Sequence, residues 1–396
     1  MKHTGINLTK AKETNRALLL QLICTSGKIT RTELSVRSQL SPMTITNIVN
    51  EFLAQKLIVE VAPEDAVKVP GRTPMQLQIS PESPVIVGIR MSRRRLQGIV
   101  ANLSTQPLVQ KEVLFSSRET AESIIEKLKT LTEELIRGID RPILGLGIST
   151  AGVISREKGS IEYITNFFGI QSLDLREQLS PFFDFPVYVC NEVHAAALCE
   201  LYFGHGQTQD NFLYVGLTHG IAAAVVFERK LLDLCGEMGH MTIDHHGPKC
   251  ACGSNGCLEL YASTPNILRQ IAEETGVQLK TMEEAVTFAL QDRTAYALFY
   301  NAMRQLGYGI NNYLNIYSVP TVVLGHDAYL LPDEMVSQME NMIASINVSM
   351  HHFTQHPKLV KSMLGMQTQL YGTLCIVLQQ LFQDGSAFSH LPVKTN

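Results

Sequence analysis

The chain has 396 residues, 45% of them apolar, and a formal net charge of −4. That length exceeds one ordinary core and predicts two or three domains, while eight cysteines without regular spacing outside one short loop argue against a disulfide framework and for a reducing compartment. The amino-terminal apolar run Ala17 to Leu20 stops at Gln21, which excludes a signal peptide or spanning segment there and predicts a cytoplasmic protein without membrane contact.

The charge is unevenly distributed. Residues 1 to 80 carry +4 and the remainder −8, so the first segment is the electrostatically suitable partner for a polyanion. Leu19, Leu22 and Ile23 fall at helical spacing with Gly27 behind them as a carboxyl cap, predicting a first helix of about fifteen residues. Thr30-Arg31-Thr32-Glu33 is a capping-box pattern that starts a second, short helix ending before Ser41. Ser41-Pro42 restarts the chain as N-cap and first-turn proline, and Ile45, Ile48, Val49, Phe52 and Leu53 give a third helix one buried face.

The opposite face of that helix begins with Ser41 and carries Met43, Thr44, Thr46, Asn47 and Asn50. Small or amide-bearing uncharged groups of this kind can reach base edges and thymine methyls without the desolvation cost of a carboxylate. Two β-prone runs follow, Ile58 to Val61 and Gln76 to Ile79, so the unit reads as a winged helix-turn-helix on double-stranded DNA. A small helical protein-interaction module fits the same pattern. Between the runs, Pro70-Gly71-Arg72-Thr73-Pro74 places Arg72 as a minor-groove hook, or as a solvated arginine in a linker. Residues 63 to 84 hold five of the sixteen prolines, which marks a hinge under either reading.

From Pro84 the chain alternates strands and helices, an α/β pattern. Strands are expected at Val85 to Met91, Leu96 to Leu103, Ile143 to Ser149 and Pro186 to Cys190, with a helix from Ala121 to Ile139 and another starting near Ala195. Cys24, Cys190, Cys199, Cys235 and Cys375 are expected as buried small apolar residues. Gly236-Glu237-Met238-Gly239-His240 is followed by Cys250-Ala251-Cys252-Gly253-Ser254-Asn255-Gly256-Cys257-Leu258-Glu259. One imidazole and three thiols on a glycine-bearing loop supply the donors of a closed tetrahedral zinc site, although Cys-x-Cys is not a common finger spacing and a loop of free thiols shares it.

The combination of GExGH with Cys-x-Cys-Gly-x-x-Gly-Cys-x-Glu resembles the signature of the ROK family, which contains bacterial sugar kinases and NagC/XylR-type transcriptional regulators. The segment Leu40 to Ile58 is similar to the DNA-binding domain of ROK repressors. The resemblance implies a winged helix-turn-helix over residues 1–80 and a two-lobed actin-like ATPase (ribonuclease H-like) domain over 81–396, with lobes of about 81–190 plus the C-terminal helix and 191–380. It implies one structural zinc on His240, Cys250, Cys252 and Cys257, with Glu237, His240 and Glu259 facing a sugar. The family's Asn-x-Pro-Gly-Trp sugar loop appears as Asn166-Phe167-Phe168-Gly169-Ile170, and its Asn-Asp pair as Asn191-Glu192. Asn166, Asn191 and Glu192 are therefore candidate sugar ligands, with a strand end and exposed helix start as the plain alternative for the last two.

Phosphate chemistry is depleted by the same comparison. Family kinases carry Asp-x-Gly-Gly-Thr where this chain reads Arg90-Met91-Ser92-Arg93-Arg94. Leu217-Thr218-His219-Gly220-Ile221-Ala222 keeps one glycine of the second phosphate loop, and Gly325-His326-Asp327 replaces a Gly-Gly turn. Glutamate at 192 moves the base carboxylate by one methylene, about 1.5 Å, and a misplacement of about 1 Å can cost a hundredfold in rate. The expected function is a sugar- or sugar-phosphate-sensing transcriptional regulator, a repressor of carbohydrate-metabolism genes that acts as a homodimer or homotetramer on a palindromic operator without binding ATP. The alternatives are a sugar kinase with a DNA-binding appendage and a regulator controlled by a protein partner.

Overall fold

The structure is a computed structural model that describes residues 8–63, 74–164, 167–233, 236–347 and 357–383. The chain divides into two compact units, Met1–Glu192 with Leu370–Asn396, and Val193–Gln369. Among the described residues no helix is long and apolar enough to cross a membrane.

The amino-terminal elements are α1 (Leu8–Ser26), β1 (Ile29–Thr30), α2 (Arg31–Ser38), α3 (Pro42–Ala54), β2 (Ile58–Val61) and β3 (Gln76–Ile79). Helix α1 is longer than its apolar spacing suggested, and Gly27 behind it adopts φ 71°. The capping box of α2 forms, with the Thr30 hydroxyl accepting from Glu33 N–H and the Glu33 carboxylate accepting from Thr30 N–H at 2.7 Å. Ser41 caps α3 by accepting from Thr44 N–H at 3.2 Å, ahead of Pro42 in the first turn. Leu19, Leu20, Ile23, Leu34, Ile45, Ile48, Val49 and Phe52 are buried together. The strands pair antiparallel in the order β1-β3-β2. Strand β1 was not expected, because two residues show no alternation.

The next elements are β4 (Val85–Met91), β5 (Arg95–Asn102), β6 (Pro107–Leu114), α4 (Ala121–Ile136), β7 (Ile143–Thr150), the ribbon β8 (Val153–Ser155) and β9 (Ser160–Tyr163), α5 (Leu175–Leu179) and β10 (Val187–Asn191). They form a sheet of order β10-β7-β4-β5-β6, antiparallel from β4 to β6 and parallel across β4, β7 and β10. Strand β6 escaped the sequence because most of its side chains are exposed, leaving no hydrophobic alternation.

Helix α6 (Glu192–Phe203) leads into the second unit. It starts at Glu192, earlier than the expected start near Ala195, since it is buried on nearly all sides and shows no amphipathic period. Strands β11 (Phe212–Leu217), β12 (Ile221–Phe227) and β13 (Lys230–Leu231) precede α7 (Glu259–Ala262), α8 (Thr264–Thr275), α9 (Met282–Ala289) and α10 (Arg293–Tyr317). Then come β14 (Thr321–His326), α11 (Asp333–Ile346) and β15 (Lys358–Lys361). The sheet order β13-β12-β11-β14-β15 repeats the first, each reading 3-2-1-4-5 with an antiparallel meander followed by two parallel strands. Two such ribonuclease H-like sheets make the actin-like ATPase architecture. The last helix, α12 (Thr368–Gln383), returns almost wholly to the first unit. There Gly147 lets the Thr373 backbone lie against β7, where a Cβ would overlap its carbonyl oxygen. Cys24, Cys190, Cys199 and Cys375 are buried as expected, and Cys235 lies outside the described residues.

Candidate metal centre and ligand-facing residues

A short helical turn, Met238–His240, buries Met238 and Gly239 and leaves Glu237 and His240 partly accessible. Gly236 accepts from Ala223 N–H of β12 at 2.9 Å, which anchors the start of this turn on the second sheet. The cysteine loop closes on itself. Cys250 N–H donates to Ser254 O at 2.8 Å, Gly256 N–H donates to Pro248 O at 2.8 Å, and Thr242 bridges Cys257. Gly253 and Gly256 adopt φ 97° and 59°, backbone that lets the loop reverse and bring the thiols inward.

The donor atoms of His240, Cys250, Cys252 and Cys257 all lie within 4.8 Å of one another. Cys252 and Cys257 Sγ are 3.6 Å apart, and Cys250 Sγ is 3.7 Å from His240 Nδ1. A tetrahedral zinc ion with Zn–S of about 2.3 Å sets its ligands roughly 3.7 Å apart, so the cluster is already at coordination spacing. Without a cation, two of the three thiols are held protonated. Burial, and then the neighbouring Cys252 and Cys250, push the Cys257 thiol up to about 12, and burial also raises Cys250. The Ser254 backbone N–H lowers exposed Cys252. Three crowded thiolates form only when a metal cancels their charge, and the residues present fit zinc.

Helix α7 begins at Glu259, two residues after Cys257, so the cysteine loop fixes where that carboxylate stands. Glu259 Oε1 is 3.4 Å from His240 Nδ1, and Glu237 Oε2 is 3.9 Å from His240 Nε2. The structure thus brings Glu237, His240 and Glu259 together beside the cysteines, with one ring nitrogen turned to the thiol side and the other to Glu237.

In the first unit Asn191 ends β10 and donates through Nδ2 to Gly152 O at 2.9 Å, holding the turn after β7. Glu192 opens α6, and its Oε2 lies 3.7 Å from Arg90 Nη2. That ion pair was not anticipated. Arg90 was recognised as a departure from an aspartate, but nothing local connects it with Glu192. Phe167 is buried, and Phe168, at φ 51°, stacks edge-on to Phe115 with centroids 5.5 Å apart. Asn166 lies outside the described residues.

The second unit's departures from phosphate-binding loops are filled with side chains. His326 is buried at φ 56°, with Nδ1 3.3 Å from Tyr214 Oη. Asp327 accepts from the Thr264 hydroxyl at 2.6 Å. A bulky imidazole and a carboxylate thus follow Gly325, where a phosphate loop needs bare backbone amides.

On α3, Met43 is 71% exposed, Ser41, Thr46, Asn47 and Asn50 are exposed, and Thr44 is half-buried. Four of these residues are engaged within the unit, Ser41 Oγ accepting from Thr44 N–H at 3.2 Å and lying 3.0 Å from Thr44 Oγ1. Thr46 Oγ1 donates to Pro42 O at 2.8 Å, and Asn50 Oδ1 accepts from Arg31, which also pairs with Glu60 at 2.8 Å. Arg72 lies outside the described residues.

Residues 86–380 match the model of the ROK family. The chain is 28% identical to the xylose repressor of Bacillus subtilis over 378 residues, covering 93% of this chain and 96% of that protein. It is 26% identical to the transcriptional repressor Mlc of Escherichia coli over 269 residues, 66% of this chain and 66% of that one. Among solved structures, a ROK family transcriptional regulator homologous to the E. coli Mlc protein superposes with a TM-score of 0.81 at 25% identity, covering 96% of this chain and 99% of that one. The ROK hexokinase of Thermus thermophilus superposes at 0.63 with 24% identity, covering 75% of this chain and 99% of its own, and shares the fold. With a match of that extent and the His-Cys cluster in place, the chain belongs to the ROK family.

Proposed function

We propose that this protein is a cytoplasmic DNA-binding repressor of carbohydrate-metabolism genes whose sensing domain takes a sugar or sugar phosphate. The observation that carries the reading is the exposed, uncharged outer face of α3, set on a winged unit in a chain that aligns with a xylose repressor along 93% of its length. Residues 1–80 form the DNA-binding domain and 81–396 the sensor. Ser41, Met43, Thr44, Thr46 and Asn47 face the major groove and Arg72 the minor groove of a palindromic operator, bound by a homodimer or homotetramer. The ligand groups are Glu237, His240 and Glu259 in the second unit, and Asn166, Asn191 and Glu192 in the first. Zinc, when bound, supplies fixed geometry and no chemistry, and the chain's own residues do the rest. Cys257 and the loop set Glu259, and the turn at Met238–His240 sets Glu237 and the His240 edge. A ligand favouring one conformation then shifts the DNA-binding equilibrium by its differential affinity.

Selection of bound duplexes from a randomised pool tests the reading. A palindromic consensus should emerge, binding should weaken steeply with salt, and Thr46→Ala or Asn47→Ala should alter the preferred bases. Failure to enrich any sequence would sink the repressor reading, and a loss uniform across sequences would restrict these two residues to phosphate contacts.

A further inference from the structure

Two guanidinium groups stand at the carboxyl edge of the first sheet, where parallel strands β4, β7 and β10 end and open α/β sheets bind their ligands. Arg90 Nη1 donates to Gln97 Oε1 at 3.1 Å. Its other edge is different. Nε is buried with no hydrogen-bond partner, and Nη2 stands 3.7 Å from Glu192, too far for a hydrogen bond. The Nε–Nη2 edge is the one that suits a bidentate oxyanion, and here it carries only a loose ion pair. Ser149 is the register partner of Arg90 across β4 and β7, so the two side chains leave the same face of the sheet. Ser149 is fully buried, and its Oγ also has no hydrogen-bond partner. Arg93, in the turn between β4 and β5, is half-buried, and burial disfavours its charge while Glu192 supports it. Buried donors left without a hydrogen bond, as at Arg90 Nε and Ser149 Oγ, are costly and are satisfied by an anionic ligand.

We propose that Arg90, Arg93 and Ser149 form an oxyanion subsite that takes the phosphate of a phosphorylated sugar. The sugar portion rests on the sensor reading above, and the oxyanion portion rests on these residues alone. A phosphate monoester offers three acceptor oxygens and up to two negative charges, matching two guanidinium groups and a hydroxyl better than a neutral polyol does. Glu192 competes with the ligand for Arg90, so the same carboxylate that balances the empty subsite weakens its affinity.

Titration calorimetry on the full-length protein with glucose, N-acetylglucosamine, their 6-phosphates and inorganic phosphate tests this. At least one ester should bind tenfold or more tighter than its parent sugar. That ratio should fall towards one in Arg93→Gln and in Arg90→Gln, with an unchanged thermal midpoint in at least one variant showing that the fold is intact. Glu192→Gln should bind inorganic phosphate several-fold tighter. A parent sugar that binds as well as its ester, or a ratio that survives in both arginine variants, overturns the subsite and leaves the sensor reading standing. Inorganic phosphate binding that is lost in Arg93→Gln, with no added affinity from any sugar ring, upholds the subsite and overturns the sensor reading. Silence with every probe at millimolar concentration overturns both.

Discussion

At Gly256 the backbone stands at φ 59°, and a Cβ would overlap the Asp244 carbonyl oxygen. Neither strain nor clash can be relieved by a rotamer, so Gly256→Ala must displace the adjacent Cys257. Purified protein should carry about one zinc per chain, as four donors around one ion require. Cys257→Ser and Gly256→Ala should both lose it, and the second unit should melt about 5 °C or more lower, since metal-binding energy is folding energy in such a loop. Elemental analysis beside a thermal melt checks this, and a zinc-free native protein of unchanged stability would refute it. The candidate zinc ligands were legible because they are local. Histidine, three cysteines and two glycines lie within one short stretch, and their chemistry admits few other uses. Arg90 and Glu192 were not legible as a pair, because their proximity depends on the register of β4, β7 and β10 and on where α6 begins.

Local signals also decided which elements could be foreseen. Helices α2 and α3 start where Thr30 and Ser41 cap them, and β2 and β3 have the bounds their apolar runs suggested. Helix α6 and strand β6 gave no such signal, one being buried nearly all round and the other exposed nearly all along. Caps are stability statements as well as boundaries. Ser41→Ala should destabilise the amino-terminal unit by about 1 kcal/mol, measurable by urea unfolding. At the start of α4, Glu119 is 6% exposed. Burial alone would raise its pKa, but hydrogen bonds from Ser123, the Ser116 backbone, Lys127 and the Ser116 hydroxyl outweigh it and hold the carboxyl at about 2, against an ordinary value of 4.5. A depressed pKa contributes stability that is present above the unfolded value and is lost as pH falls from 4.5 towards 2. Melting temperature should therefore drop more steeply over that range in the native protein than in Glu119→Gln. Parallel curves would mean that Glu119 does not stabilise the helix start.

On the scale of the whole molecule, two sheets of identical strand order supply the scaffold on which family kinases and family regulators are both built, so the fold itself does not decide between them. The decision lies in what stands at the strand ends. Phosphoryl transfer needs metal-holding carboxylates, backbone amides free to approach phosphates, and a base aligned with the attacking hydroxyl. In the first unit a cation, Arg90, stands in place of the expected aspartate, and the base-position carboxylate lies beside it. In the second unit His326 and Asp327 fill the turn after Gly325 with a buried ring and a negative charge, which repels phosphate instead of cradling it. These obstacles are independent of one another. Glu192→Asp would correct the length of one side chain and would leave Arg90, His326 and Asp327 untouched. With hexose, ATP and magnesium, a coupled assay should therefore register no turnover above the enzyme-free control, either in the native protein or in Glu192→Asp. ATP with magnesium should leave the thermal midpoint of the native protein unmoved, since a ligand that does not bind the folded state cannot stabilise it. Turnover in the native protein would return the chain to the kinases. Turnover in Glu192→Asp alone would show that Arg90, His326 and Asp327 obstruct less than their chemistry implies.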